Sequence, residues 1–124
     1  MIHVRLPATR QRKHRFSKRK LDEDGYLTLT GRIKELINRG GEKISPIEVD
    51  GVLLSHPFIA EAVSFAAPDV KYGEVVAAAV VLNESGREEE KKGSDVVKGI
   101  QEYCSGKLAA FKVPNPVFLA EQVE

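Results

Sequence analysis

An uninterrupted apolar segment, residues 75–82, is the feature that most constrains how this chain can fold. It consists only of valine, alanine and leucine. The segment is far shorter than the roughly 18 residues that a membrane span needs. Its lack of alternation is typical of a strand covered on both faces. Since 124 residues suffice for one domain with one modest core, we expect a small sheet with helices packed against this strand.

Further elements are predicted on either side of this strand. Residues 59–67 and 117–119 have the composition of strands, and the charge-dense residues 83–93 are predicted to form a solvated loop. A helix is predicted after Ser94 or Asp95, either of which could cap it. The apolar residues that share one face of that helix are Val97, Ile100, Cys104 and Leu108.

A β-hairpin is predicted before these elements. Two short strands, 35–38 and 43–44, flank the dipeptide Gly40-Gly41, and a double glycine between strands favours a tight turn. Residues 26–30 alternate between polar and apolar types and are typical of another strand. The predicted fold class is therefore α+β, with a small three-stranded sheet, flanking helices and a preceding β-hairpin.

The strongest local signal for a helix is the tetrapeptide Ser45-Pro46-Ile47-Glu48. Serine at the N-cap, proline at the first helical position and glutamate at the third form a capping-box pattern. We therefore predict that Ser45 and Glu48 cap a short amphipathic helix, which ends before His56-Pro57.

Residues 1–20 form a basic tail. They contain eight lysines and arginines and no acidic residue, whereas the remaining 11 basic residues are accompanied by 18 acidic ones. The tail has no sustained apolar periodicity, so we predict that it is disordered. A nucleic-acid or membrane patch, a nuclear address, a transit peptide and a plain solvated extension all remain open as its role. We place the folded domain at residues 21–124.

The chain has no recognisable catalytic constellation. His3, His14 and His56 lack metal-ligand spacing, and His56 is interpreted as a capping or surface residue. The single cysteine, Cys104, excludes a disulfide framework and is interpreted as a buried filler. The glycines do not form a phosphate-binding loop motif. We predict neither a catalytic residue nor a metal site within the chain.

Residues 31–46 are unusually rich in glycines and cations. Glycines allow a ligand to approach the backbone closely, and neighbouring cations suit a phosphate or carboxylate. A solubilised edge hairpin would have the same composition, so physical chemistry alone leaves both interpretations open. The residues concerned are Gly31, Arg32, Lys34, Arg39, Gly40, Gly41 and Lys43.

Two segments, 31–37 and 40–48, closely resemble the signature that opens the C-terminal domain of the adenylate-forming superfamily. The likeness continues at His56-Pro57, at 69–74 and at 111–114. The superfamily includes acyl- and aryl-CoA synthetases, adenylation domains of peptide synthetases, and luciferases. The sequence of these segments is most similar to that of acyl-CoA synthetases of the oxalate–CoA and 4-coumarate–CoA ligase kind.

This resemblance implies a role in coupling a carboxylic acid to CoA by way of acyl-AMP. In the family, a large N-terminal adenylation domain holds ATP, Mg²⁺ and the acid. The small C-terminal domain is a lid that rotates between the two steps. We expect this chain alone to bind no cofactor, whereas the complete enzyme needs ATP, Mg²⁺ and CoA.

The resemblance also implies roles for individual residues. Arg32 corresponds to the residue that contacts the ribose of the adenylate, and Lys34 falls at the hinge. Gly41 lies in the loop that, in the family, approaches the CoA tunnel. Lys43 lies where the family places a cation near CoA or the nucleotide.

The chain departs from the family pattern at its end. The family's lid normally ends in Pro-Lys-Thr-x-x-Gly-Lys, whose last lysine acts in adenylation, and this chain stops at Glu124. We therefore expect a lid truncated before the catalytic lysine and inactive alone. The alternatives are a non-catalytic module that docks onto a separately encoded adenylation domain, and a nucleic-acid or organelle-targeted protein acting through its tail. Nucleic acid is not the expected partner, no transmembrane segment is predicted, and the expected location is the cytoplasm, with a peroxisome or another organelle as the alternative.

Overall fold

A computed structural model of the chain describes residues 2–7, 19–21, 26–31 and 36–123, with side chains from 36 to 121. Within these ranges the elements follow a simple order along the chain. They are β1 (Ile2–Pro7), β2 (Arg19–Leu21), β3 (Tyr26–Gly31), β4 (Ile37–Arg39), β5 (Glu42–Ile44), α1 (Pro46–Leu54), β6 (Ile59–Asp69), β7 (Gly73–Leu82), α2 (Glu84–Lys91), α3 (Val96–Ser105), a 3₁₀ turn (Ala110–Lys112), β8 (Val117–Leu119) and β9 (Gln122–Val123). None of the described helices is long and apolar enough to cross a membrane.

The main sheet is built around β7. Its strand order is β5-β4-β7-β6, and β8 pairs with β7 in parallel. β6 and β7 are antiparallel over their whole length, from Ile59 opposite Leu82 to Asp69 opposite Gly73. The predicted hairpin of β4 and β5 joins this sheet because Arg39 pairs with Gly73. The α+β class is confirmed, and the sheet has five strands because the hairpin extends the three that were predicted.

The core covers both faces of β7, as the unbroken apolar run predicted. On one face, Val76, Ala78 and Val80 pack with residues of α1 and α3. On the opposite face, Ala77 and Ala79 pack with buried aromatic side chains, Phe65 and Phe118. Cys104 lies fully buried in the first cluster, which confirms its interpretation as a filler, and burial raises the pKa of its thiol.

A second sheet, in the order β2-β3-β1-β9, includes part of the basic tail. β1 pairs antiparallel with β3, from Ile2 opposite Gly31 to Pro7 opposite Tyr26. The predicted disorder of residues 1–20 is therefore wrong for Ile2–Pro7 and for Arg19 and Lys20. The reason is that backbone hydrogen bonds to a distant β-forming segment order a strand whose own side chains show little periodicity. Residues 8–18 lie outside the described ranges.

The predicted polar loop at 83–93 is wrong, because residues 84–91 form α2. Asn83 caps this helix: its Oδ1 accepts a hydrogen bond from Gly86 N at 2.9 Å, and its Nδ2 donates to Pro57 O at 2.7 Å. The sequence did contain this N-cap signal, an asparagine followed directly by Glu84, whose charge suits a helix N-terminus. The helix was missed because the high charge density of residues 83–93 was interpreted as that of a solvated loop.

The predicted capping box of α1 is also wrong, although Pro46 begins the helix as expected. The Ser45 side chain makes no capping hydrogen bond. Glu48 instead accepts a salt bridge from Lys112 Nζ at 3.0 Å, which ties α1 to the turn before β8. The Glu48 carboxylate, which the local sequence pattern predicted to cap the helix, therefore pairs with a lysine that is distant in sequence.

Gly86 and Gly99 form a matched pair for testing the packing of the two later helices. A Cβ atom at Gly86 would lie 2.6 Å from Phe58 O and 2.9 Å from Phe58 Cβ, whereas one at Gly99 would meet nothing within 4 Å. Gly86→Ala should therefore lower the free energy of unfolding by about 1–3 kcal/mol through overpacking. Gly99→Ala should raise it by about 0.5–1 kcal/mol through helix propensity. Urea denaturation measures both, and equal effects would contradict the contact at Phe58.

The caps give a second test. Asp95 accepts a hydrogen bond from Lys98 N at 3.1 Å at the start of α3, unlike Ser45 at the start of α1. Asp95→Ala should cost about 1 kcal/mol of unfolding free energy. Ser45→Ala should stay within about 0.5 kcal/mol of wild type. A larger loss at Ser45 in thermal or urea unfolding would restore the capping-box interpretation.

Candidate functional site

The hairpin turn between β4 and β5 has the geometry that its two glycines permit. Gly40 and Gly41 have φ angles of 56° and 93°, a conformation that residues with a Cβ rarely adopt. Gly41 N donates a hydrogen bond to Asn38 Oδ1 at 3.0 Å, which closes the turn. At the base of the hairpin, Ile37 pairs with Ile44, and both side chains are fully buried. The hairpin is thus anchored in the core and presents its turn to solvent.

The turn between β6 and β7 holds the hairpin in place. Asp69 Oδ2 accepts hydrogen bonds from the backbone N–H groups of Lys71 at 3.0 Å and Tyr72 at 2.8 Å, which shapes this turn. Gly40 N then donates to Tyr72 O at 2.9 Å. The hairpin, residues 37–44, is therefore joined to the 69–74 segment by a backbone hydrogen bond.

Side chains reinforce this junction. Asn38 N donates to Glu74 Oε1 at 3.0 Å. The Arg39 guanidinium lies over the Tyr72 ring, 3.8 Å from its centroid. The hydrogen bond and positive charge of Lys71 lower the pKa of the Tyr72 hydroxyl, and the charge of Arg39 contributes to the same shift. A cationic, aromatic surface thus borders the glycine turn.

Two concave surfaces meet at Tyr72. A groove of about 410 Å³ is lined by Asn38, Gly41, Tyr72, Gly73 and Glu74. A larger open cleft of about 780 Å³ runs from Arg39 and Tyr72 past Lys98 on α3 to Val113 and Asn115. The cleft therefore connects the hairpin, the β6–β7 turn and the 111–114 segment, which are the parts of the chain that carry the family resemblance.

The structure places two of the four predicted site residues. A Cβ atom at Gly41 would meet nothing within 4 Å, so the turn is accessible from outside the domain. Lys43 is exposed on β5 and pairs with Asn38. Arg32 and Lys34 lie outside the described residues. Gly41 and Lys43 thus share the hairpin, two residues apart.

Sequence reasoning missed Arg39 and Tyr72 as parts of the site. Arg39 lies in the cation-rich stretch 31–46, and Tyr72 lies in the 69–74 segment that resembles the family. No local pattern brings them together, because their stacking depends on the pairing of β4 with β7. The signal that could have found them is the tetrapeptide Lys71-Tyr72-Gly73-Glu74, which places a cation and an aromatic ring beside a glycine.

His56 and the acidic side chains of the described residues lie apart from this surface or bind within the domain. No group of three or more histidines, cysteines, aspartates or glutamates there could hold a metal ion. His56 Nδ1 accepts a hydrogen bond from Phe58 N at 3.0 Å, and its ring lies 4.8 Å from Tyr103. Burial lowers the pKa of His56. This histidine is a structural residue of the turn that follows α1.

The sequence matches a known family over most of the main sheet and its helices. The model of the AMP-binding enzyme C-terminal domain matches residues 48–124. A probable CoA ligase of Humulus lupulus, CCL9, is 57% identical over 102 residues, which are 82% of this chain and 18% of that protein. The oxalate–CoA ligases of Arabidopsis thaliana and Saccharomyces cerevisiae are 53% and 52% identical, again over 82% of this chain and 18% of theirs. The chain therefore spans about a fifth of the length of these relatives.

Solved structures show the same relationship. The fatty acyl CoA synthetase of Mycobacterium tuberculosis matches with a TM-score of 0.61 and 35% identity, over 84% of this chain and 19% of that protein. The o-succinylbenzoate CoA synthetase of Bacillus subtilis, in complex with its acyl-adenylate intermediate, matches with a TM-score of 0.61 and 36% identity, over 84% and 20%. The fold is thus that of a small domain found within larger synthetases.

The electrostatics of the site can be tested through Tyr72. Its lowered pKa means that the folded state loses the hydroxyl proton more readily than the unfolded chain. Stability should therefore rise with pH as the solution passes from the folded pKa toward the ordinary tyrosine value of about 10. Lys71→Met should raise the Tyr72 pKa toward that value, as measured by NMR titration of the ring carbon that carries the hydroxyl. An unchanged pKa would show that Lys71 does not face this hydroxyl.

Proposed function

Because this chain belongs to the AMP-binding enzyme C-terminal domain family, we propose that it serves as the lid domain of an acid–CoA ligase that works through acyl-AMP. The observation that carries this proposal is the glycine turn at Gly40-Gly41. The turn is fixed to the domain by the hydrogen bond from Gly40 N to Tyr72 O, and its outer side is accessible at Gly41. A rigid, side-chain-free projection is suited to approach a ligand held by another domain.

The proposed partner is the large adenylation domain that the family resemblance implies, since this chain spans only about a fifth of its relatives. That domain would supply the pockets for ATP and for the carboxylic acid. Mg²⁺ is also assigned to that domain, as the family resemblance implies for the complete enzyme. The substrates are accordingly a carboxylic acid and CoA. We expect no acyl-CoA synthesis from the 124-residue chain alone.

The chain contributes backbone and positive charge to this reaction. Gly41 would line the passage for the CoA thiol, because a larger side chain there would project away from the domain into the partner. Lys43, exposed two residues further on, would face the phosphates of CoA or the nucleotide. Arg32 is proposed to contact the nucleotide ribose through its forked donors, and Lys34 to act as the hinge.

The β6–β7 turn would keep this projection in a fixed orientation. If the hairpin were mobile, each encounter with the CoA passage would first have to order it, at an entropic cost. The hydrogen bonds from Gly40 N to Tyr72 O and from Asn38 N to Glu74 Oε1 have already ordered it. Rotation of the whole domain could therefore move Gly41 into and out of the passage as one body.

The test uses this chain joined to the adenylation domain of the oxalate–CoA ligase of Arabidopsis thaliana, a relative with 53% identity, and followed by that relative's own C-terminal segment, which supplies the lysine expected to act in adenylation. Gly41→Leu should lower CoA consumption by at least about tenfold, which corresponds to about 1.4 kcal/mol of transition-state stabilisation. ATP–pyrophosphate exchange should change by less than about twofold, because it does not use the CoA passage.

Gly93→Leu is the matched control. Gly93 has a φ angle of 90°, close to that of Gly41, and its Cβ would also meet nothing within 4 Å. The two variants therefore carry a similar backbone penalty in different places. Gly93→Leu should leave the ratio of the two half-reactions unchanged. An equal loss of both half-reactions at Gly41 would mean that the hairpin has only a structural role.

A further inference from the structure

The outer face of α1 consists of Ile47, Gly51 and Leu54, and it is apolar although it is exposed. These residues are spaced at i, i+4 and i+7, so they form one stripe along the helix. Ile47 is 83% exposed and Leu54 is 51% exposed. The opposite face of the same helix already packs into the core through Pro46, Val49 and Leu53. A helix that is apolar on opposite faces is normally covered on both.

No free charge interrupts this stripe. The two carboxylates that flank it are held by contacts inside the domain. Glu48 accepts the salt bridge from Lys112, and Asp50 Oδ1 accepts a hydrogen bond from Ser64 N at 2.6 Å. Gly51 has no Cβ and nothing near it, so the middle of the stripe permits close approach of a partner. The outer face of α1 therefore has the composition of a contact surface.

Large apolar side chains that are exposed occur in one part of the described chain. Besides Ile47 and Leu54 they are Leu36, directly before β4, and Val70, in the β6–β7 turn. All four lie in or directly beside the hairpin, the helix that follows it and the turn that holds it. The surfaces of α2 and α3, in contrast, expose charged side chains: Glu84, Arg87, Glu88, Lys91, Lys98 and Glu102. The apolar surface is thus continuous in sequence with the candidate site.

From these contacts we infer that the outer face of α1 docks onto the large adenylation domain when the glycine turn is at the CoA passage. This inference rests on the proposed function and adds a second contact surface to it. Ile44 ends β5 and Pro46 begins α1, so the helix is fixed relative to the hairpin and moves with it. The stripe therefore keeps one position relative to Gly41 in every orientation of the domain.

The size of the face favours a tethered domain over a separate protein or a second copy. From Ile47 to Leu54 the stripe is about 10 Å long and about 10 Å wide, which gives an area on the order of 100 Å². A stable complex between free proteins buries roughly 1,200–2,000 Å² in total. A contact within one chain needs much less, because the linker supplies a high effective concentration.

Single introduced cysteines can test the inference, because Cys104 is fully buried and should react slowly. Ile47→Cys and Leu54→Cys report on the outer face, and Gly99→Cys on the exposed surface of α3 is the matched control. Each variant is labelled with N-ethylmaleimide, both as the 124-residue chain and joined to the adenylation domain named above, with AMP and CoA present. Peptide mass spectrometry gives the rate at each position. Joining should slow labelling at Ile47 and Leu54 at least threefold and leave Gly99 unchanged.

Each outcome decides between the possibilities. Equal rates at all three positions in an active joined protein would overturn the docking surface and leave the lid function standing. Protection of Ile47 and Leu54 in a joined protein without pyrophosphate exchange would support the surface and count against the function. Equal rates without activity would overturn both. Protection in the isolated chain that grows with its concentration would overturn the inference in favour of self-association.

Discussion

The burial of β7 on both faces is the constraint on which the other described elements of the main sheet depend. β7 pairs with β4, β6 and β8, and its alternating side chains belong to two different core clusters. Small residues in its middle, Ala77, Ala78 and Ala79, let helices on one side and aromatic rings on the other approach closely. The pairing of β7 with β4 also brings the hairpin to the β6–β7 turn, so the core strand determines where the candidate site lies.

The sequence was informative where the signal was local or came from one unbroken segment. The apolar run predicted β7, the double glycine predicted the hairpin turn, and the apolar spacing predicted α3. The predictions from sequence were wrong where a residue or segment distant along the chain supplied a contact that the local pattern did not indicate. Glu48 pairs with Lys112 instead of the helix N-terminus, and Ile2–Pro7 is ordered by β3. α2 was missed for a different reason, because its charge density resembled that of a solvated loop although Asn83 caps it.

The candidate site shows the same division. Gly41 and Lys43 could be singled out from the sequence because both lie in one short hairpin, and both positions are exposed, while their roles toward CoA stay predictions. Arg39 and Tyr72 are 33 residues apart along the chain, and their stacking follows only from the strand pairing. A composition-based argument can therefore find the projecting turn, whereas the contacts that fix its direction require the fold.

The contact between Asp50 and Ser64 has a further consequence for the free edge of the main sheet. β6 is the edge strand opposite β5, and a strand of this length could template the addition of strands from other molecules. Asp50 occupies the outward N–H of Ser64, and Pro68, which faces the same side four residues later, has no N–H to offer. Two hydrogen-bonding positions of this edge are thereby closed to a strand from another molecule, and they lie on the strand that packs against the helix with the exposed apolar face.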